Sequence, residues 1–181
     1  MRAGEGPLTN DSVPRPDDRA RRDPAVAAAE IPIREYRPED ETVLFAIHDR
    51  SRPDELVGSC DPRGFIPLAQ DFRSIEDFRM SRKWVAVDGE RPVGFAGVRD
   101  NYVSWLYIEP EYYGRSIGRR LLRAAMAAAG PDAWTIALEG NARARKLYES
   151  EGFVPALTFD GENNGYPCRC VKLMLRPPAK G

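Results

Sequence analysis

Tyr112-Tyr113-Gly114-Arg115-Ser116-Ile117-Gly118-Arg119-Arg120-Leu121-Leu122 joins two unlike patterns. On its N-terminal side runs Val103-Ser104-Trp105-Leu106-Tyr107-Ile108, β-branched and aromatic, uncharged, and closed by Glu109-Pro110. That composition predicts a buried strand. On its C-terminal side Leu121, Leu122, Ala125, Met126 and Ala129 recur at helical spacing until Gly130-Pro131 ends the pattern. A strand therefore runs through a loop with two glycines and two arginines into a helix. The free N–H groups and positive dipole end of a helix start make an anion site. Gly114 and Gly118 let backbone come close to a ligand, and Arg115 and Arg119 add charge. The functional reading is a pyrophosphate cradle. The alternative is a plain strand–helix connection with solvated arginines.

Outward from this segment, the flanks read as a sheet. Upstream, Lys83–Val87 and Pro92–Val98 are predicted strands around an Asp88–Arg91 hairpin turn, and Asp100-Asn101 turns into the aromatic strand. Downstream, Trp134–Leu138 is a predicted strand and Asn141 to about Glu151 a helix stopped by Gly152. Val154–Phe159 and Cys168–Leu175 alternate as two antiparallel strands around an Asp160–Gly165 turn. Near the start, Ile31–Tyr36 reads as a strand and Pro38-Glu39-Asp40 as a helix start with Val43, Leu44 and Ile47 on its apolar face. His48, the single histidine, is expected at the end of that helix as a surface or capping residue. Arg52–Leu56 and Ile75–Met80 suggest short helices. Ser51–Met80 as a whole reads either as a substrate lid or as a packed connection. The order of elements is that of a layered α/β domain.

Met1 to about Glu30 is rich in Pro, Asp, Arg and Gly and is predicted to be a disordered tail. The 181 residues fit one domain. A net charge of −1 disfavours an electrostatically driven nucleic-acid binder, and no stretch approaches the ~20 apolar residues of a membrane span. No apolar signal-peptide core is visible, and Cys60, Cys168 and Cys170 do not make a disulfide framework, so a reduced, cytoplasmic setting is expected. Cys168 and Cys170 share a strand face without further ligands nearby, so packing rather than a metal is expected there.

A second constellation, Leu138-Glu139-Gly140-Asn141-Ala142-Arg143-Ala144-Arg145-Lys146-Leu147-Tyr148-Glu149-Ser150-Glu151-Gly152-Phe153, carries an N-cap asparagine, an apolar face with a tyrosine on it, and a glycine stop. With both constellations present in this order, the chain resembles the GCN5-related N-acetyltransferase (GNAT) superfamily from Lys83 to Leu175, and loosely from Ile31. The family's donor loop, Gln/Arg-x-x-Gly-x-Gly/Ala, aligns with Tyr113–Gly118, where Tyr113 replaces Gln/Arg and Ser116 replaces the first required glycine. The family's Asn-x-x-Ala-x-x-x-Tyr-x-x-x-Gly-Phe is met in full by Asn141, Ala144, Tyr148, Gly152 and Phe153.

The resemblance implies a GNAT acetyltransferase domain over residues 31–177, with a mixed, mostly antiparallel sheet of about six to seven strands flanked by helices in three layers. It implies acetyl-CoA as co-substrate and no metal. The donor lies between the Trp105–Ile108 and Trp134–Leu138 strands, its pantetheine along Leu106, Tyr107 and Ile108 like an added strand. Its pyrophosphate lies on Gly114, Arg115, Ser116, Ile117, Gly118 and Arg119, with Asn141 as a further contact. Tyr148 is the general acid for the leaving thiolate, attacked in a ternary complex by an amine. As general base the candidates are Glu109, which we rank first, Asp100 and Glu139, or a water chain. The acceptor expected is a small-molecule amine, with a protein N-terminus or lysine and a non-catalytic acyl-CoA-binding module as alternatives. Neither nucleic acid nor membrane is an expected partner, and a homodimer is compatible with the family.

The tail reading has a direct consequence. Deleting residues 1–29 is expected to leave the calorimetric Tm within error, because so polar a segment buries too little to offset its ordering entropy. A large drop would show that the tail packs on the domain.

Overall fold

The computed structural model describes residues 30–176; the predicted tail, residues 1–29, lies outside the described residues. Strand β1 (Ile33–Glu35) leads through a short turn into helix α1 (Glu41–Leu56), and α2 (Phe72–Met80) follows two further turns. Three strands come next, β2 (Arg82–Asp88), β3 (Arg91–Arg99) and β4 (Tyr102–Ile108), then α3 (Ile117–Ala129), β5 (Trp134–Leu138) and α4 (Ala142–Ser150). The long strands β6 (Phe153–Asn163) and β7 (Tyr166–Leu175) finish the fold. The sheet order is β1-β2-β3-β4-β5-β7-β6, antiparallel except where β4 meets β5. This is the mixed, mostly antiparallel α/β sheet expected.

Each face of the sheet has its own core, which is why there are three layers. Ala86, Ala96, Val103, Ala137, Val171 and Leu173 pack under Ile117, Leu121, Leu122 and Ala125 of α3, with Tyr148 of α4. On the other face Val85, Val87, Phe95 and Trp105 meet Leu44 and Ile47 of α1 and Phe78 of α2. Alternation along β2 and β3 supplies both faces, as a strand buried on two sides requires. In β4 the alternation breaks. Gly97 pairs with Trp105 but its neighbour Val98 pairs with Val103, so Ser104 is an extra, unpaired residue. This bulge lets Val103 and Trp105, two apart, face opposite cores.

Three expectations are corrected. First, Arg52–Leu56 is not a second helix: α1 continues through Pro53 to Leu56. Pro53 has no N–H to give to the Asp49 carbonyl. The last turn is held instead by the Val57 N–H donating to the Pro53 carbonyl at 3.2 Å, and by Leu56, which is fully buried. Second, His48 is therefore mid-helix and 6% exposed, not a surface cap. Its ring packs edge-on against Trp105 and Tyr107. Third, the last hairpin turns at Asn164-Gly165, not across Asp160–Gly165. Both residues have positive φ, 50° and 85°, as a tight two-residue hairpin turn needs.

The Ser51–Met80 region is tied to that hairpin. The side-chain amides of Asn163 and Asn164 both donate to the Gly64 carbonyl at 2.8 Å, and Cys60 forms an isolated bridge to Cys168. A Cβ on Gly64 would lie 2.6 Å from the Asn163 carbonyl oxygen and 2.5 Å from its amide nitrogen. Gly64→Ala is therefore expected to lower stability by about 1–3 kcal/mol through overpacking against backbone, read as a lower urea midpoint at unchanged m. An unchanged midpoint would mean that this contact is loose.

Candidate active site

The site begins where β4 and β5 part. These parallel neighbours share one registered pair, Tyr102 with Trp134, whose rings stack at 4.2 Å. One residue further, the Val103 carbonyl accepts from the Thr135 side-chain hydroxyl at 2.8 Å. Beyond that the strands diverge, and a gap opens in the sheet beside Ser104, Leu106 and Ile136.

A cavity of about 390 Å³ lies on the α3 and α4 side of this gap. Leu106, Tyr107 and Ile108 form one wall, and Thr135, Ile136 and Ala137 the other. Its end is the loop and first turn of α3: Gly114, Ser116, Ile117, Gly118 and Arg119. Ser116 caps α3 with φ 60° and ψ 7°, a left-handed conformation that suits glycine and costs a serine roughly 1 kcal/mol or more. This is the position at which Ser116 departs from the family glycine, and its backbone geometry is the one a glycine would take. A Cβ on Gly118 would sit 3.1 Å from Ile108 Cδ1 and 3.5 Å from Leu147 Cδ2, so glycine here lets α3 approach the cavity wall. Asn141 caps α4 by accepting from the Ala144 N–H at 3.1 Å and also lines the cavity.

Tyr148 of α4 lines the same cavity and is 6% exposed, its ring edge-on to Phe153 at 5.6 Å. Burial pushes its phenol well above the usual tyrosine value, with the Thr135 hydroxyl working the other way. The phenol is thus held protonated at neutral pH.

A second cavity, of about 380 Å³, lies on the α1 and α2 side. Glu55, Ser104, Tyr107 and Ile136 border both cavities. The unbroken α1 presents His48, Arg52 and Glu55, spaced i, i+4 and i+7, to this second cavity. Arg52 pairs with Glu55 at 2.5 Å and donates to Asn163 Oδ1 at 2.8 Å. The Tyr107 hydroxyl donates to Glu55 Oε2 at 2.9 Å. Burial by itself would lower the Arg52 pKa, but Tyr107 and the Glu55 carboxylate outweigh it and hold the guanidinium charged. Tyr102, also in the wall, is pushed up to about 12 by burial. Four carboxylates (Glu55, Asp71, Asp77, Glu162) and two guanidiniums (Arg52, Arg73) line this cavity. Arg52 pairs with Glu55, and Arg99, from outside the lining, pairs with Asp77 at 3.3 Å, so the lining keeps a surplus of one negative charge, which favours a cationic guest.

Ten of the residues expected around the donor line the first cavity: Leu106, Tyr107, Ile108, Gly114, Ser116, Ile117, Gly118, Arg119, Asn141 and Tyr148. Arg119 does so while paired with Glu151 at 2.9 Å. Arg115 does not; its guanidinium lies over the Tyr112 ring. Glu109 is outside both cavities, 3% exposed, and accepts from Arg50 Nε at 2.7 Å and Nη2 at 2.6 Å. As the residue after β4 it points back to α1, where it ties the helix to the strand end. Asp100 sits in the β3–β4 turn and Glu139 beside Arg169, neither against a cavity. Among the residues that line the cavities, Glu55, Arg52 and Ser104 were not picked out in the sequence. The i+4 and i+7 spacing of Arg52 and Glu55 from His48 was legible, but only on one continuous helix, and Ser104 is placed by the β4 bulge.

Comparisons with known proteins agree with this fold. The GNAT acetyltransferase domain model matches residues 80–155. The peptidyl-lysine N-acetyltransferase YjaB of Salmonella typhimurium is 37% identical over 147 residues, covering 80% of this chain and 97% of that protein. Among solved structures, a GCN5-related N-acetyltransferase from Rhodopseudomonas palustris superposes with a TM-score of 0.70 at 22% identity, covering 81% of this chain and 96% of that one. YncA of Salmonella typhimurium, solved with acetyl-CoA, superposes with a TM-score of 0.59 at 18% identity, covering 83% and 96%.

The buried ion pair gives Glu109 a structural task that can be measured. Glu109→Gln is expected to cost about 1.5–3 kcal/mol of stability, the range for a hydrogen-bonded charged partner, while the thermal shift given by CoA persists. A mutant of native stability that has lost turnover would return Glu109 to the catalytic step.

Proposed function

The chain belongs to the GNAT acetyltransferase family and is an acetyltransferase, and from that premise we propose that it moves an acetyl group from acetyl-CoA to a small primary amine by direct attack in a ternary complex. The observation that carries this reading is the meeting of two cavities at the β4–β5 gap, with Glu55, Ser104, Tyr107 and Ile136 common to both. The first cavity suits the donor. Backbone of Leu106–Ile108 at the open edge of β4 takes the pantetheine, and the N–H groups that open α3 take the pyrophosphate. The acetyl carbon then stands at the gap, reachable from the acceptor side.

Tyr148 is the proposed general acid. A thiolate leaving group needs a proton, and a buried phenol kept neutral at pH 7 has one to give. Asn141 both fixes the start of α4 and faces the donor. The acceptor enters the acid-rich second cavity, whose surplus of carboxylates attracts an ammonium. The Pro62–Gly64 turn, clamped to the last hairpin by Asn163 and Asn164, narrows that side to a pocket, which favours a compact amine over an extended peptide. Free thiols at Cys60, Cys168 and Cys170 suit a cytoplasmic setting.

A second reading is transfer to a protein lysine. It is favoured by YjaB, whose name makes that relative a peptidyl-lysine acetyltransferase. A single lysine side chain also fits an acid-lined pocket.

Thiol release with acetyl-CoA, followed across a panel of small amines and a lysine peptide, separates the two. Turnover of small amines well above that of the peptide supports the first reading, and the reverse order supports the second. Tyr148→Phe is expected to reduce turnover by roughly 10²–10³ while leaving CoA binding nearly unchanged, since the ring still packs on Phe153. Near-normal turnover in that variant would remove Tyr148 from the mechanism.

A further inference from the structure

We propose that His48, oriented by Asp49, is the base that takes a proton from the acceptor amine in the second cavity. This rests on the reading that the second cavity receives the acceptor, and it holds for a small amine and a lysine alike. An amine arrives at neutral pH as an ammonium and has no lone pair until a proton leaves. His48 lies in the wall of that cavity, against Trp105 and Tyr107. Its Nδ1 is 2.9 Å from Asp49 Oδ1, and the same oxygen accepts the Leu68 N–H at 2.8 Å. A carboxylate only accepts, so Nδ1 carries the hydrogen and Nε2 holds the lone pair. Among the described residues no protein group bonds to Nε2. By contrast, Glu55 Oε2 already takes both Tyr107 and Arg52.

The protonation state fits the task. Burial lowers the His48 pKa from its ordinary value, against the Asp49 hydrogen bond, and Arg52 lowers it further while Asp49 and Glu55 raise it. Around the same cavity α2 brings Arg73 and Asp77 and its N-cap Asp71, β4 brings Tyr102 and Tyr107, β6 brings Glu162, and β7 brings Cys168 and Cys170. With the pKa lowered, the imidazole is neutral at pH 7.

The step balances as follows. The first ammonium proton goes to Nε2 and on to solvent. The amine lone pair forms the C–N bond, the C–S bond breaks, and the thiolate takes the Tyr148 proton. The second nitrogen proton leaves as the amide forms and, through water, replaces the one Tyr148 gave.

The test compares wild type, His48→Gln and Asp49→Asn with the best primary amine from a panel of putrescine, histamine, tyramine and a capped lysine amide, and with methoxyamine, which is uncharged at pH 7. For the wild type, kcat/KM for the ammonium acceptor should fall on the acid side through a pKa below about 6.5, the ordinary histidine value. His48→Gln should lower kcat/KM for that acceptor by roughly 10²-fold or more and remove this limb, yet lower it by less than about tenfold for methoxyamine. Asp49→Asn keeps the ring and the Leu68 contact but removes the charge, so its limb should move to lower pH. Equal losses with both acceptors, or an unchanged acid limb in His48→Gln, would show that His48 only packs. A wild type that releases thiol with methoxyamine but with no ammonium acceptor overturns both this inference and the reading of the second cavity. Wild-type turnover of ammonium acceptors with a fully active His48→Gln overturns this inference alone.

Discussion

The site depends on the separation of β4 from β5. Elsewhere the sheet is continuous, and each strand satisfies its neighbour's N–H and C=O groups. Here the pairing stops after Tyr102 and Trp134, and a side chain, Thr135, satisfies the Val103 carbonyl. Backbone groups further along must find partners elsewhere, because a buried unpaired amide is costly. The Ile108 carbonyl finds Ser51 Oγ, at 2.8 Å. The strand edge beyond Ser104 is left facing a cavity. An open sheet edge is a template for another extended chain, and a pantetheine arm with its two amides is of that kind. The bulge at Ser104 falls at the same place, and it turns Trp105 and Tyr107 to the α1 side while Leu106 and Ile108 face α3.

Helix α1 decides the second cavity. Its passage through Pro53 costs a backbone hydrogen bond, and proline inside a helix is unfavourable by about 3 kcal/mol in isolation. Burial offsets that cost: Leu44, Ile47 and Leu56 are all buried. The continuous helix sets His48, Arg52 and Glu55 on one line over the second cavity, and the Glu109–Arg50 pair anchors it to the end of β4. Two separate helices would have scattered these groups. Glu109 shows the reverse case. Its place just after the strand made it a candidate base in the sequence, and a residue one past a strand end takes its direction from the local turn. That turn sends it to Arg50.

Much was legible in the sequence because it follows from local periodicity and capping. The strand–glycine loop–helix unit, the Asn141 cap, the three-strand meander and the placement of Tyr148 on the inner face of α4 are short-range consequences of residue type and spacing. The two motifs together also sufficed to name the family and its donor. Ten of the eleven expected donor residues line one cavity for that reason.

What only the tertiary structure decided is the course of α1 and which groups it gathers around the second cavity. A helix across Pro53 is disfavoured locally and favoured only by a core that the local sequence does not display. The hairpin turn moved to Asn164-Gly165 because the strands pair along their full length, a long-range property. His48 beside a proline-bearing segment reads as a surface residue until α1 is laid against Trp105 and Tyr107. Periodicity fixes which way a side chain points along its own element. Which charges then face one another across a cavity depends on the packing of elements far apart in the chain, and no local pattern carries that information.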